Sequence, residues 1–301
     1  MSLPAVSLDL TRGGARRRTS DFIELTKPRV VLMVLVTASV GFYLGSGLVL
    51  DYFRLLEMLL GTALAAGGTL TLNQYLERDS DGLMERTRRR PLPDGRIQPT
   101  EALIFGVALV ILGLLILLWR VNDWSALVTL SIVASYLFIY TPLKQRSSLC
   151  GLIGAVPGAL PPLIGWTAVQ GEIRLEAWVL FAVLFLWQTP HTLAIARLYR
   201  DDFARAGIRF LPVVERDGKS MGRQVVGHTL ALLAVSLLPT LLHFAGEVYF
   251  VAAFLLGAGF LAFGVVLAFS PSEGAARRLV FASLVYLPLL LGVMALDRIP
   301  L

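Results

Sequence analysis

The sequence predicts an all-α polytopic membrane protein, a bundle of nine transmembrane helices, on three observations. The 301 residues are 56% hydrophobic and only 16% charged, with a mean hydropathy of +0.71, too apolar for a soluble domain of that length. The apolar residues gather into nine runs, each close to the ~20 residues a helix needs to cross a bilayer. The basic residues sit almost entirely in alternate connections between those runs, as the positive-inside rule requires.

In chain order the runs lie near 28–48, 55–76, 101–119, 124–141, 150–169, 175–197, 223–243, 248–269 and 278–296. None alternates like a barrel strand, so helices are left to satisfy the backbone in hydrocarbon. Arg12, Arg16, Arg17, Arg18, Lys27 and Arg29 accompany the start of the first run. Arg78, Arg86, Arg88, Arg89, Arg90 and Arg96 lie between the second and third, and Lys144 and Arg146 follow the fourth. Arg197, Arg200, Arg205, Arg209, Arg216, Lys219 and Arg223 separate the sixth from the seventh, and Arg277 and Arg278 precede the ninth. Of 27 lysines and arginines, only Arg54, Arg120, Arg174 and Arg298 fall on the other side. The bias puts the N-terminus and the loops after the second and sixth helices in the cytoplasm.

The net charge of +6 therefore reports topology, and no nucleic-acid partner is expected. The first twenty residues carry arginines without an apolar stretch, which excludes a secretory signal. A bacterial plasma (inner) membrane is the simplest location. Residues 1–24 read as a flexible cytoplasmic segment and 25–301 as a single transmembrane domain. Cys150 is the one cysteine, so no intrachain disulfide forms.

Two acidic segments close helices two and six, a placement that hints at an ancient duplication. In the first, Asn73, Glu77 and Asp81 are spaced i, i+4, i+8 and share one helical face. Such oxygen donors with arginines close behind suit a magnesium-bound diphosphate. Five acids and six bases fall within 77–96, and a topology signal alone needs no acids. Asp79 lies about 200° from that face and reaches it only if the helix ends there, which Gly82 favours. Pro91 turns part of 86–90 into a loop, where Arg86 and Arg90 are the favoured diphosphate ligands.

Tyr140-Thr141-Pro142-Leu143-Lys144-Gln145-Arg146 closes helix four on the same side, adding Lys144 and Arg146 as diphosphate-binding candidates. Helix five carries Pro157, Pro161 and Pro162, so it is expected to bend or break. A broken helix at membrane depth lines a cavity or is buried in protein, and Gly154 and Gly158 also allow close helix packing. In helix six, His191 follows Pro190. Eleven residues separate it from Asp202, so a continuous helix puts both on one face. His191 is either a satisfied structural group or part of the site.

These segments together resemble the haem branch of the membrane prenyltransferase family typified by 4-hydroxybenzoate polyprenyltransferases. The telling pieces are Asn73…Glu77-Arg78-Asp79…Asp81, Met84-Glu85-Arg86-Thr87…Arg90-Pro91, Tyr140-Thr141-Pro142-Leu143-Lys144, Pro157-Gly158…Pro161-Pro162…Gly165-Trp166, Trp187-Gln188…Pro190-His191 and Asp201-Asp202-Phe203-Ala204. The resemblance runs from about Leu25 to the last helix. It departs from the general family in having Glu77 in place of an aspartate and only Asp201 and Asp202 in the second acidic motif.

The resemblance implies a cytoplasm-facing active-site cavity, farnesyl diphosphate as donor, protohaem IX as acceptor and Mg2+ as cofactor. Asn73, Glu77, Asp81 and Asp202 would be the catalytic, metal-holding residues. Arg86, Arg90, Lys144 and Arg146 would take the diphosphate. His191, Trp187 and Arg197 would take the acceptor, His191 by ligating or orienting the haem iron or by accepting a proton. The implied partners include the next enzyme of haem A synthesis. Competing readings are prenylation of an aromatic or quinone precursor and, in a different class, a secondary transporter. A transporter site is expected near the bilayer midplane, whereas both acidic segments close helix ends.

Overall fold

The computed structural model describes residues 18–215 and 217–300. Among them, nine helices are long and apolar enough to span a membrane. They are α1 (Pro28–Gly45), α2 (Tyr52–Asp81), α3 (Pro99–Val121), α4 (Asp123–Leu143), α5 (Cys150–Gln170), α6 (Leu175–Leu198), α7 (Lys219–Leu241), α8 (Glu247–Phe269) and α9 (Glu273–Leu296).

All nine expected spans are present, but three extend further than the apolar runs suggested. α2 continues through its charged end to Asp81, and Gly82 closes it in a right-handed conformation. α7 and α9 begin in charged turns, with Ser272 accepting from the Ala275 amide to cap α9. Charged residues lower an apolar count without weakening a capped helix end. Arg12, Arg16, Arg17 and Arg216 lie outside the described residues, as does most of the 1–24 segment. Residues 18–25 are helical rather than irregular. Buried Asp21 pairs with Arg96, which also reaches Glu24 and Asp94, so this part of the segment packs on the domain.

Small residues set how closely the spans approach. A β-carbon on Gly68 would fall 2.6 Å from the Gly106 carbonyl oxygen. One on Gly113 would fall 2.6 Å from that of Gly61. α2 and α3 thus meet backbone to backbone, the usual device where lipid supplies no hydrophobic driving force between helices. α1 packs along the second half of α5, where Gly165 lies against the Ala38 carbonyl.

α5 breaks as its prolines require. One segment ends at Ala159 and the next starts at Pro161, with Leu160 between. The break faces an apolar cavity lined by α1 (Val30, Val34), α2 (Ala65, Thr69) and α4 (Tyr136), as well as by Pro157 and Pro161. α6 packs against α5, α7 and α9. At the opposite end of the bundle from the acidic segments, Arg298 follows α9. It donates to the carbonyls of Tyr43, Ser46 and Gly47 and lies 3.9 Å from the Tyr43 ring centroid.

Candidate active site

The three donors of α2 occupy one face over its last turns, and the first and last of them are almost fully enclosed. Asn73 is 1% exposed and Asp81 2%. Asn73 Nδ2 donates to Thr141 Oγ1 at 3.1 Å, and Thr141 donates to the Tyr136 carbonyl at 2.8 Å. That second bond spans five residues, inside a wide π-helical stretch over Ser135–Tyr140. Such turns concentrate at functional sites because they re-aim side chains. Asp79, with its side chain 90% exposed, pairs among the described residues with its neighbour Arg78, as its angle from the Asn73 face requires.

Each carboxylate on that face holds a cation. Glu77 Oε1 lies 2.7 Å from Lys144 Nζ, both side chains being largely buried. Lys144 also sits 4.5 Å from the Tyr140 ring centroid. Asp81 Oδ2 lies 2.6 Å from Arg90 Nη1. Thr87 Oγ1 donates to the Asp81 carbonyl at 2.7 Å, which folds the 82–98 turns back over the helix end.

Of the other diphosphate candidates, Arg86 lies over the rings of Tyr199 and Phe203 and so joins the two acidic segments. Arg146 is exposed. The second segment folds as a short helix, Arg200–Arg205. Asp202 pairs with Arg205 and accepts from the Glu85 amide at 3.3 Å, so it meets the first segment through backbone.

The expected shared face of His191 and Asp202 does not form. α6 ends at Leu198, and Tyr199 (φ −107°, ψ 26°) turns the chain before the next helix. A new helix axis voids the angular count. His191, Trp187 and Arg197 instead all contact α9 or the turn before it. His191 Nδ1 lies 2.6 Å from Ser283 Oγ, Trp187 Nε1 donates to the Ser283 carbonyl at 2.9 Å, and Arg197 Nη2 donates to the Pro271 carbonyl at 2.9 Å.

The sequence reading missed Lys27 as a site residue, counting it only as a topology signal. It holds φ at +50° at the start of α1, and its Nζ reaches Asn73 Oδ1 at 3.5 Å. Burial, followed by the positive charges of Arg90 and Lys144, lowers its pKa to about 7. The visible signal was a lysine immediately before Pro28, where the chain must enter a helix sharply. Gln74 fixes this entry by donating to the Leu25 carbonyl at 2.6 Å.

No three acidic, histidine or cysteine side chains converge as a metal site among the described residues. Mg2+ at a diphosphate site needs no such cluster. Mg2+ is held there by one or two carboxylates with substrate phosphate oxygens and water, not by an all-protein cage. The buried oxygen donors Asn73 and Asp81, with Glu77 beside them, supply that kind of partial set.

Buried cations and oxygen donors close to an apolar cavity suit a membrane protein that takes an anion with an apolar tail. The UbiA prenyltransferase family matches residues 34–285. A Solibacter usitatus (strain Ellin6076) protein named protoheme IX farnesyltransferase is 47% identical over 287 residues, covering 92% of this chain and 98% of its own. One of the same name from Koribacter versatilis (strain Ellin345) is 44% identical and covers 99% of both. A solved digeranylgeranylglyceryl phosphate synthase shares the fold with a TM-score of 0.80 at 18% identity, covering 93% of this chain and 98% of that one. A UbiA homologue from Archaeoglobus fulgidus bound to GPP and Mg2+ shares it at 0.64 and 18% identity, covering 91% and 99%. The chain belongs to the UbiA prenyltransferase family.

Proposed function

We propose that this chain transfers the farnesyl group of farnesyl diphosphate to the 2-vinyl group of protohaem IX, with addition of water, giving haem O and diphosphate. The observation that carries the donor half is the set Lys27, Lys144 and Arg90 around Asn73, Glu77 and Asp81, close to the apolar cavity. Thr69 lines that cavity one helical turn before Asn73. The acceptor half is supported by likeness over nearly the whole chain to proteins named for this reaction.

Asn73 and Asp81, with Glu77 beside them, would hold Mg2+, which when bound supplies Lewis-acid neutralisation of the departing diphosphate; Asp202 of the second segment, paired with Arg205, would stand outside that set. Lys27, Lys144 and Arg90 would bind diphosphate oxygens, with Arg86 and Arg146 from the loops, and would stabilise the charge that grows as the C–O bond breaks. The farnesyl chain would fill the cavity beside Val34, Ala65 and Tyr136, whose apolar walls keep water from the allylic cation. The vinyl π electrons would form the new C–C bond. Water would then add to the resulting cation and lose a proton. Trp187, His191 and Arg197 would recognise the acceptor.

This reading takes the membrane as the plasma (inner) membrane, with the N-terminus and both acidic loops cytoplasmic. It also has haem O passing to the next enzyme of haem A synthesis, in complex with this one. The test is a pigment extract from cells with and without the chain, resolved by chromatography. Haem O that depends on the chain is expected. A prenylated aromatic or quinone product without haem O would move the acceptor to that class. Solute uptake with no prenylated product would favour a transporter.

A further inference from the structure

Ser283 is fully buried on α9 and meets α6 twice. Its carbonyl accepts from Trp187 Nε1 at 2.9 Å, and its hydroxyl lies 2.6 Å from His191 Nδ1. Trp187 and His191, one turn apart on α6, stack with ring centroids 4.9 Å apart and planes at 15°. One residue of α9 therefore fixes both rings.

The hydrogen-bond geometry also sets the imidazole tautomer. Ser283 Oγ lies 2.6 Å from the Val280 carbonyl oxygen. A carbonyl only accepts, and two oxygens at that separation repel unless a hydrogen lies between them. The single hydroxyl hydrogen is therefore committed to Val280. Ser283 Oγ can then only accept from His191, so Nδ1 carries the proton and Nε2 keeps a bare lone pair. Among the described residues nothing bonds to Nε2.

We infer that Ser283 is a positioning residue for the acceptor, holding His191 in the tautomer whose Nε2 coordinates the iron of the protohaem. The inference rests on the acceptor proposed above. A metal-binding imidazole characteristically donates its other ring N–H to a fixed acceptor, which sets both tautomer and orientation. Nε2 of His191 is not among the buried atoms left without a partner, so an incoming ligand can reach it. Further along α6 toward Asp202, Arg197 carries a buried Nε with no partner among the described residues. That spare donor suits a carboxylate of the same acceptor.

The test titrates ferric protohaem into the purified full chain and reads the Soret band. Farnesyl diphosphate binding is followed in parallel by protection of the 77–100 segment from proteolysis. Ser283→Ala should weaken haem binding about tenfold, the lower end for losing an orienting partner, move the Soret band to its position in His191→Ala, and leave donor binding unchanged. Ser283→Cys, of similar volume but a poor acceptor, should behave as Ser283→Ala does, and it carries the test if that variant fails to fold. Ser283→Thr should restore wild-type binding. In a His191→Ala background, Ser283→Ala should add nothing.

A wild-type Soret band and affinity in Ser283→Ala or Ser283→Cys would overturn the inference while haem O formation continued. An undiminished effect of Ser283→Ala without His191 would overturn it too. A wild-type chain that neither binds protohaem nor forms haem O would remove the proposed acceptor, and this inference with it.

Discussion

Reciprocal substitution of Asp81 and Arg90 should separate the diphosphate machinery from the fold. The two are joined at 2.6 Å, with side chains 2% and 26% exposed. Removing Arg90 strands a carboxylate that water cannot reach, which costs about 3–5 kcal/mol. Removing Asp81 strands a guanidinium that is a quarter exposed and can rehydrate, so Asp81→Asn should cost about 1–3 kcal/mol. Arg90→Gln is therefore expected to be the less stable protein. Activity should not follow that order. Asp81→Asn removes a ligand charge from the metal, and a loss of about a hundredfold in turnover, roughly 2.7 kcal/mol, is the minimum expected. The assay pairs thermal unfolding in detergent with haem O formation in membranes. Near-wild-type turnover by Asp81→Asn would refute the metal role. Equal destabilisation by the two variants would refute the burial argument.

Lys27→Met should raise the KM for the donor about tenfold or more while leaving haem binding unchanged, checked by steady-state kinetics and haem titration. Chelation of Mg2+ in isolated membranes should stop turnover, and added Mg2+ should restore it. Ala66 also lines the cavity, so Ala66→Phe should narrow it and shift the preference from farnesyl toward geranyl diphosphate by about tenfold, measured as a ratio of kcat/KM values. Thr100→Cys and Asp217→Cys, with Cys150→Ala, should be labelled only from the cytoplasmic side; labelling from the other side would overturn the orientation.

Patterns local to one helix were the legible ones. Nine spans, the common face of Asn73, Glu77 and Asp81, and the break of α5 at its prolines each follow from spacing within a single segment. What failed was inference across a segment boundary. The angle between His191 and Asp202 assumed one helix, and Tyr199 ends it. Residues 18–24 looked like a charged tail because their partner, Arg96, lies far along the sequence. Lys27 belongs to the site only because α1 starts beside Asn73. Ser283 carried no signal at all, since a serine in an apolar helix is ordinary and its meaning comes from the two rings of α6 placed against it.

The Arg298 contacts bear on how the molecule is made. Its guanidinium takes carbonyl groups at the end of the first span, Tyr43, Ser46 and Gly47, from a residue synthesised some 250 positions later. At about 5–20 residues per second, those carbonyls wait roughly 10–50 s for their donor and depend on water at the bilayer surface meanwhile. Lys27 precedes that interval, and the segments that supply Asn73, Lys144 and Asp202 are made within it. Ser283 and the C-terminal residues arrive last. A nascent chain therefore carries the residues proposed for the diphosphate before the Ser283 contact proposed to orient His191 exists, so on that reading translation separates the two halves of the site in time.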